Sequence, residues 1–430
     1  MSRLQRSVEE LGNRQTRFSY VFALICIALG VSAYVLIVRH TLHEPVDFTR
    51  NDPAAYLRYA EELSDAGGPL EMIRGLFSGS VTQANQHPLY IMLLSLDPTP
   101  TGGQRLSMIF GALTLLLVAV FSWRTLGPCT SAIVTVLLGT NGAFCYFSTL
   151  VTCESLLVVL LTFVWVLIEQ SDKTKSLSWF RSVVIGILLG FAYLTKGTGP
   201  LFLAGVVGCL MLGCWRSSAG KTLALTSIAR WKSIGIVMLS WFVISSPLLV
   251  RNVRVYGNPL YNVNSYFMYM DDFVDPGIIK ANGITLAETR EEFFRTHSVS
   301  DLIARESKGI GIETYVIMRS LGPAPYVEAR VFIGLPLFAV GSLVLLLRGS
   351  IARSMVLLWL FFSILLFAWY IPIATGPRFT APLIPIFSCF AAHGISSWTH
   401  ASTSRIKPTI LTLILAVYTA TWTVLTVAGE

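Results

Sequence analysis

The chain has 430 residues, of which 53% are hydrophobic and only 13% charged, and its mean hydropathy is +0.64. A soluble globular chain carries about a quarter charged residues, so this composition excludes water as the main solvent and leaves little room for separate soluble cores. The formal charge of +8 does not point to nucleic acid, because the Lys and Arg residues stand between apolar runs and form no continuous basic surface.

A helix needs roughly 20 predominantly apolar residues to cross the hydrocarbon, and every backbone polar group inside it must be paired internally. By that ruler, uncharged stretches at 18–38, 106–123, 233–250, 331–347, 354–377, 379–404 and 409–429 each predict one span. The first is longer than a signal-peptide core and no small-x-small cleavage pattern follows it, so it is expected to stay as a span. The stretch from Thr125 to Ile168 holds a single charge, Glu154, and is too long for one crossing; it predicts a hairpin. Ser182 to Trp215 repeats the pattern around Lys196, with a turn written Lys196-Gly197-Thr198-Gly199-Pro200. The expected fold is an all-α integral membrane protein, a polytopic bundle of about eleven transmembrane helices with interfacial helices in a large first outer loop. Its organisation reads as a tail at 1–17, a transmembrane module at 18–250 holding an outer loop at 39–105, a second outer loop at 251–330, and a C-terminal transmembrane module at 331–430.

Alternate short connections are basic: Arg3, Arg6, Arg14 and Arg17; Arg124; Lys173, Lys175 and Arg181; Arg216, Lys221, Arg230 and Lys232; Arg348 and Arg353; Arg405 and Lys407. Those connections face the cytoplasm. All but Glu9, Glu10, Glu169 and Asp172 of the 24 acidic residues then lie outside, together with the Glu154 and Lys196 hairpins and the Pro377-Arg378 turn. No span carries a row of charges and no internal repeat stands out, whereas carriers usually show ionisable groups at mid-membrane or matched broken helices. The seven cysteines form no paired ligand spacing, which excludes a zinc site or a disulfide framework. Charge gathered at one membrane surface favours an interfacial enzyme over two alternatives, a lipid or solute carrier and a non-catalytic assembly subunit.

The first outer segment carries Arg50-Asn51-Asp52-Pro53, a strong helix start with Asp52 as cap and Pro53 at the first helical position. Tyr56, Tyr59, Ala60 and Leu63 follow on one face, which predicts an amphipathic helix lying on the membrane. Further along, Gln86-His87-Pro88-Leu89-Tyr90 places an imidazole and a phenol where the chain re-enters the interface. The second outer segment opens with Arg251 and Arg254 just past a span, then Tyr256-Gly257-Asn258-Pro259. Taken singly, each of these residues has an ordinary structural role: a cap, a packed His, a turn Lys, or arginines on lipid headgroups.

In this order the pieces resemble the membrane glycosyltransferases that use polyprenyl-phosphate sugars, the protein O-mannosyltransferases and lipid A aminoarabinose transferases. The resemblance rests on Asp52 with Tyr56, on His87, Pro88 and Tyr90, on Glu154, and on Leu194-Thr195-Lys196. It continues through Arg251-Asn252 and a late Arg378-Phe379 before Pro382 and Pro385. It departs where Pro53 replaces a second acidic residue often found after the loop aspartate, and where His87 stands in place of a lysine of the aminoarabinose enzymes. The resemblance implies transfer of a sugar from a polyprenyl-phosphate donor to a hydroxyl of a lipid, glycan or protein acceptor at the outer interface of the plasma membrane, with inversion at the sugar. Asp52 is then the general base, with Glu154 a second catalytic carboxylate. Lys196, Arg251 and Arg378 are expected on the donor phosphate, since guanidinium groups bind phosphate in forks. Tyr56, Arg58, His87 and Tyr90 are expected to contact substrate. No Asp-rich or His-rich metal signature is present; a divalent cation beside Asp52 and Glu154 is left open, and no other cofactor is implied.

Eleven spans and basic inner loops together place the amino terminus in the cytoplasm and the carboxyl terminus outside. Cysteine-accessibility labelling at Ser7 and Gly429 checks this: Ser7 should label only after permeabilisation and Gly429 without it.

Overall fold

The structure is a computed structural model and describes residues 3–43, 46–172, 177–217, 224–323, 341–342, 351–400 and 406–427. Most of the span expected at 331–347 lies outside the described residues, as do the basic connections at 173–176, 218–223 and 401–405.

The described chain is helical throughout. Its helices are α1 (Arg3–Thr41), α2 (Asn51–Asp65), α3 (Pro69–Ser78), α4 (Pro88–Leu94), α5 (Pro100–Thr125), α6 (Pro128–Gly139), α7 (Gly142–Phe147) and α8 (Glu154–Asp172). They continue as α9 (Trp179–Thr195), α10 (Gly199–Ser217), α11 (Ala224–Tyr256), α12 (Pro276–Ala281), α13 (Leu286–Thr296) and α14 (Val299–Ser320), then α15 (Ile351–Tyr370), α16 (Ile384–His400) and α17 (Ile406–Val427). Short 3₁₀ turns occupy Val263–Tyr269 and Ala381–Leu383. Among the described residues, five stretches have the length and composition to cross a membrane: Ala23–Thr41, Pro100–Thr125, Glu154–Ser171, Arg230–Tyr256 and Ala352–Tyr370. Shorter apolar helices run beside them. Large apolar side chains such as Leu24, Leu116, Leu239, Phe242, Phe361 and Leu413 point outward, as suits a solvent as apolar as the core itself. The chain is a polytopic all-helical membrane protein.

In lipid, helices associate through close packing rather than through a hydrophobic gain, so small residues line the contacts. At the crossing of α1 and α6, a Cβ on Gly30 would lie 2.7 Å from the Thr135 carbonyl. α9 seats Gly190 against Ile244 of α11 in the same way. The α9–α11 contact, with α8 packed on α9, brings these three helices together.

Two expectations change. The Tyr56, Ala60 and Leu63 face of α2 is buried, because α2 packs that face on α4 and α3 and so is seated on protein as well as lying beside the spans. The second outer segment also contains the 22-residue α14, which packs along α15. Arg305 of α14 donates from Nε to the Trp369 carbonyl at 3.0 Å. At the far end, Asn141 Nδ2 donates to the carbonyls of Ser320 and Gly322, each at 3.0 Å. A helix fixed at both ends to the bundle is part of it, and charges scattered along α14 concealed that from a hydropathy ruler.

Gly309 makes the α14 packing possible, because a Cβ there would fall into the Ala368 backbone. A Gly309→Leu substitution should destabilise the protein by roughly 1–3 kcal/mol, the usual cost of overpacking, read as a lowered Tm in detergent.

Candidate active site

Four ionic side chains from four distant parts of the sequence meet at one end of the spans. Each is placed by a local stop in a helix. Glu154 is the first residue of α8, and Ser155 Oγ ties that start to the Phe147 carbonyl at 2.8 Å. Lys196 ends α9 in extended conformation, and its carbonyl accepts the Gly199 N–H at 2.9 Å, closing the turn into α10. Gly197 carries no side chain because Asn262 and the His87 ring occupy that space. Arg378 follows Pro372, Gly376 and Pro377, which end α15 and turn the chain; Thr380 Oγ1 closes this turn on the Pro377 carbonyl at 3.0 Å.

One oxygen, Glu154 Oε1, receives Lys196 Nζ at 3.0 Å, Arg378 Nε at 3.1 Å and Arg378 Nη2 at 3.0 Å. Arg378 Nη2 also donates to Asp52 Oδ2 at 2.7 Å. Side-chain exposure rises along the chain of charges, from 2% at Glu154 through 16% at Lys196 to 34% at Asp52 and 40% at Arg378. The first two are the floor and the last two the open edge. The Glu154 carboxylate beside Arg378, with Asp52, raises the guanidinium above its ordinary range. Glu154 Oε2 is buried with no hydrogen-bond partner.

Asp52 is not a helix cap. Arg50 holds the cap position, without a side-chain hydrogen bond, and α2 starts at Asn51. Asn51 adopts φ +59°, a left-handed conformation that Asn tolerates, and the carboxylate of Asp52 is turned toward Arg378 instead of back to its own helix.

The other expected residues lie elsewhere. Tyr56 is buried against Tyr90, ring edge to face at 5.0 Å; burial pushes its phenol well up, with the Cys153 thiol and the Glu154 carboxylate beside it adding to the rise. Tyr90 is fully buried and approaches Ser107 Oγ at 3.3 Å. Both tyrosines support the site from behind. Arg58 is exposed, 3.9 Å from Glu62, with its guanidinium over the Tyr59 ring. Arg251 lies on α11, not in a loop. It donates to Asn252 Oδ1 at 2.8 Å and to the carbonyls of Val81 and Gln83, and so clamps the first outer segment. It also lines an open cavity of about 560 Å³ bordered by α2, α3, residues 80–83 and Leu248.

His87 Nδ1 stands 2.7 Å from the Tyr193 carbonyl. A carbonyl only accepts, so Nδ1 carries the proton and Nε2, bare, faces Gly197. Burial lowers its pKa to about 4, and the charges of Arg251 and Lys196 push the same way.

The sequence did not single out Phe379 by itself, Tyr370 or Asn262. Phe379 lies beneath Lys196 and Arg378, Tyr370 is within electrostatic reach of Arg378 and Asp52, and Asn262 covers Gly197. Tyr370 reads as one more span residue, and only the early stop of α15 brings it to the site. Among the described residues no three of His, Cys, Asp and Glu gather as metal ligands. Asp52 and Glu154 share a guanidinium, so an ion bridging them would need the place of Arg378.

Residues 95–252 match the family model described as dolichyl-phosphate-mannose-protein mannosyltransferase. The matched stretch holds Glu154, Lys196 and Arg251; Asp52, His87 and Arg378 lie outside it. No curated protein matches in sequence. Among solved structures, the chain is similar to the archaeal oligosaccharyltransferase AglB from Archaeoglobus fulgidus in complex with an inhibitory peptide and a dolichol-phosphate. The TM-score is 0.51 at 13% identity, covering 96% of this chain and 56% of that one. The Archaeoglobus fulgidus oligosaccharyltransferase tethered with an acceptor peptide gives 0.51 at 14% identity, with 94% and 55% covered. ArnT from Cupriavidus metallidurans bound to undecaprenyl phosphate gives 0.44 at 15% identity, with 96% and 71% covered. The likeness to the oligosaccharyltransferase is one of fold, and the chain spans a little over half of its length.

His87 gives the fold an acid dependence. Its folded pKa of about 4 lies below the ordinary 6.5, so between those values the unfolded chain binds the proton and the folded chain does not. Stability from this residue is complete above pH 6.5 and is lost as pH falls toward 4, on the order of 3 kcal/mol in all. His87→Asn keeps a donor for the Tyr193 carbonyl, so its Tm should fall less between pH 7 and pH 4 than that of the parent.

Proposed function

We propose that the protein is a membrane glycosyltransferase that moves a sugar from a polyprenyl-phosphate donor to a hydroxyl acceptor at the outer face of the membrane. The observation that carries this reading is the convergence of Asp52, Arg378, Glu154 and Lys196, two carboxylates and two cations, at one end of the spans. The family match over 95–252 supports it independently.

The transfer breaks the bond between the sugar C1 and the phosphate oxygen and forms one between C1 and the acceptor oxygen. Asp52, on the open edge, takes the proton of the acceptor hydroxyl as that oxygen attacks. The bonding pair of the cleaved bond leaves with the phosphate, whose added charge Arg378 and Lys196 stabilise. A phosphate leaving group asks for cations more than for a general acid, and electrostatic stabilisation of such developing charge is usually a large part of catalysis. Attack on the face opposite the phosphate inverts the sugar, through an oxocarbenium-like transition state as in other glycosyl transfers. Glu154 holds the two cations together from the floor of the site. Arg251 serves the donor from the cavity it lines, where Leu63, Met72, Leu76 and Leu248 stand beside the polar Glu62, Glu71, Gln83 and Gln86. The site faces the non-cytoplasmic side of the plasma membrane.

The carrier reading has no observation to match the ion-paired cluster of Asp52, Arg378, Glu154 and Lys196 at one end of the spans. Incubating the purified protein with a panel of polyprenyl-phosphate sugars tests the proposal, with Asp52→Asn as control. Asparagine keeps the shape and can still meet Arg378 through its carbonyl oxygen, yet it is no base. Its turnover should fall roughly 100-fold or more while donor binding survives. A folded Asp52→Asn protein with near-parental turnover would sink the assignment and move the search to Glu154 and Asp47.

A further inference from the structure

Lys196 and Arg378 are like charges that share one carboxylate oxygen. They also share a ring. Lys196 Nζ lies 5.6 Å from the centroid of Phe379, and Arg378 Cζ lies 5.8 Å from it. Phe367 stacks on that ring at 4.2 Å and 20°, which covers one face and leaves the other for the cations. Tyr370 packs its ring nearly perpendicular to Phe379 at 6.0 Å, and Phe267 meets Tyr370 likewise at 5.8 Å. The ring is therefore fixed on several sides, and its electron-rich face is turned to both positive groups.

We infer that Phe379 is a positioning residue that keeps Lys196 and Arg378 at the donor phosphate while they change anionic partners. This rests on the proposed function. Before the donor binds, Glu154 Oε1 and Asp52 Oδ2 satisfy the cations. An arriving phosphate competes with both carboxylates for the same N–H groups. While that exchange proceeds, two long side chains of like charge have reason to separate. A neutral ring competes for neither proton nor phosphate, so its attraction persists through the exchange and limits where the cations can move. The contact distances fall inside the range in which such attraction is felt.

The test replaces Phe379 in the full-length protein with mono-, di- and trifluorophenylalanine, which nearly preserve shape while weakening the ring face step by step. The probe is undecaprenyl phosphate, with its Kd measured in detergent, and Tm recorded for every variant. The expected result is a Kd that climbs stepwise to roughly 5- to 30-fold above the parent, on the scale of two weak cation–ring contacts, at near-parental Tm. Phe379→Leu should lose at least as much as the trifluoro variant, and it keeps the test open if a fluorinated variant folds poorly. A Kd that stays flat across the folded series and in Phe379→Leu overturns the inference and leaves the proposed function standing. A parent that fails to bind undecaprenyl phosphate overturns both.

Discussion

The arrangement of this protein depends on one carboxylate oxygen placed where water hardly reaches. Glu154 Oε1 draws Lys196 and Arg378 to a single point from positions 42 and 224 residues away in the chain. Removing either partner of such a buried pair leaves an uncompensated charge and is costly, whereas the intact cluster need not add much net stability. Its value lies in fixing geometry. The starts of α8 and α10 and the turn after α15 can meet only one way if all three groups are to be satisfied. α2 is then drawn in by Asp52 on the same guanidinium.

Much of the fold was legible in the sequence because lipid is a severe solvent. A run of apolar residues with no backbone partner outside itself must be a helix, and single charges such as Glu154 and Lys196 mark turns between helices. The ruler failed on α14, where Arg305, Glu306, Lys308 and Glu313 hid a helix that packs along α15. It also set the end of α15 several residues late, because uncharged Pro372 and Gly376 read as apolar span rather than as the stop they make.

The site was legible in part. Charged residues isolated at span ends could be recognised one by one, and four of them meet in the fold. What sequence alone misses is direction. Asp52 stands at a helix start, so local spacing reads it as a cap, but its carboxylate finds a guanidinium 326 residues away. Arg251 has the same chemistry as Arg378, yet backbone carbonyls of Val81 and Gln83 engage it, and no local pattern distinguishes the two. His87 keeps a neutral ring because it is enclosed, a property of its neighbours and not of its own motif.

The four charges at the open edge and floor cancel: two carboxylates against two cations, with the carboxylates in direct contact with the cations. Opposed charges at such distances produce a field that dies away quickly with distance, so the site exerts little long-range pull on an anion in the surrounding water. A lipid-borne ligand does not need that pull. If the ligand is the lipid-borne donor proposed above, its tail confines it to the plane of the bilayer, where lateral diffusion delivers the headgroup. Encounter should then depend on membrane concentration and hardly on ionic strength, and dissolved phosphates would be poor competitors because nothing gathers them at the entrance.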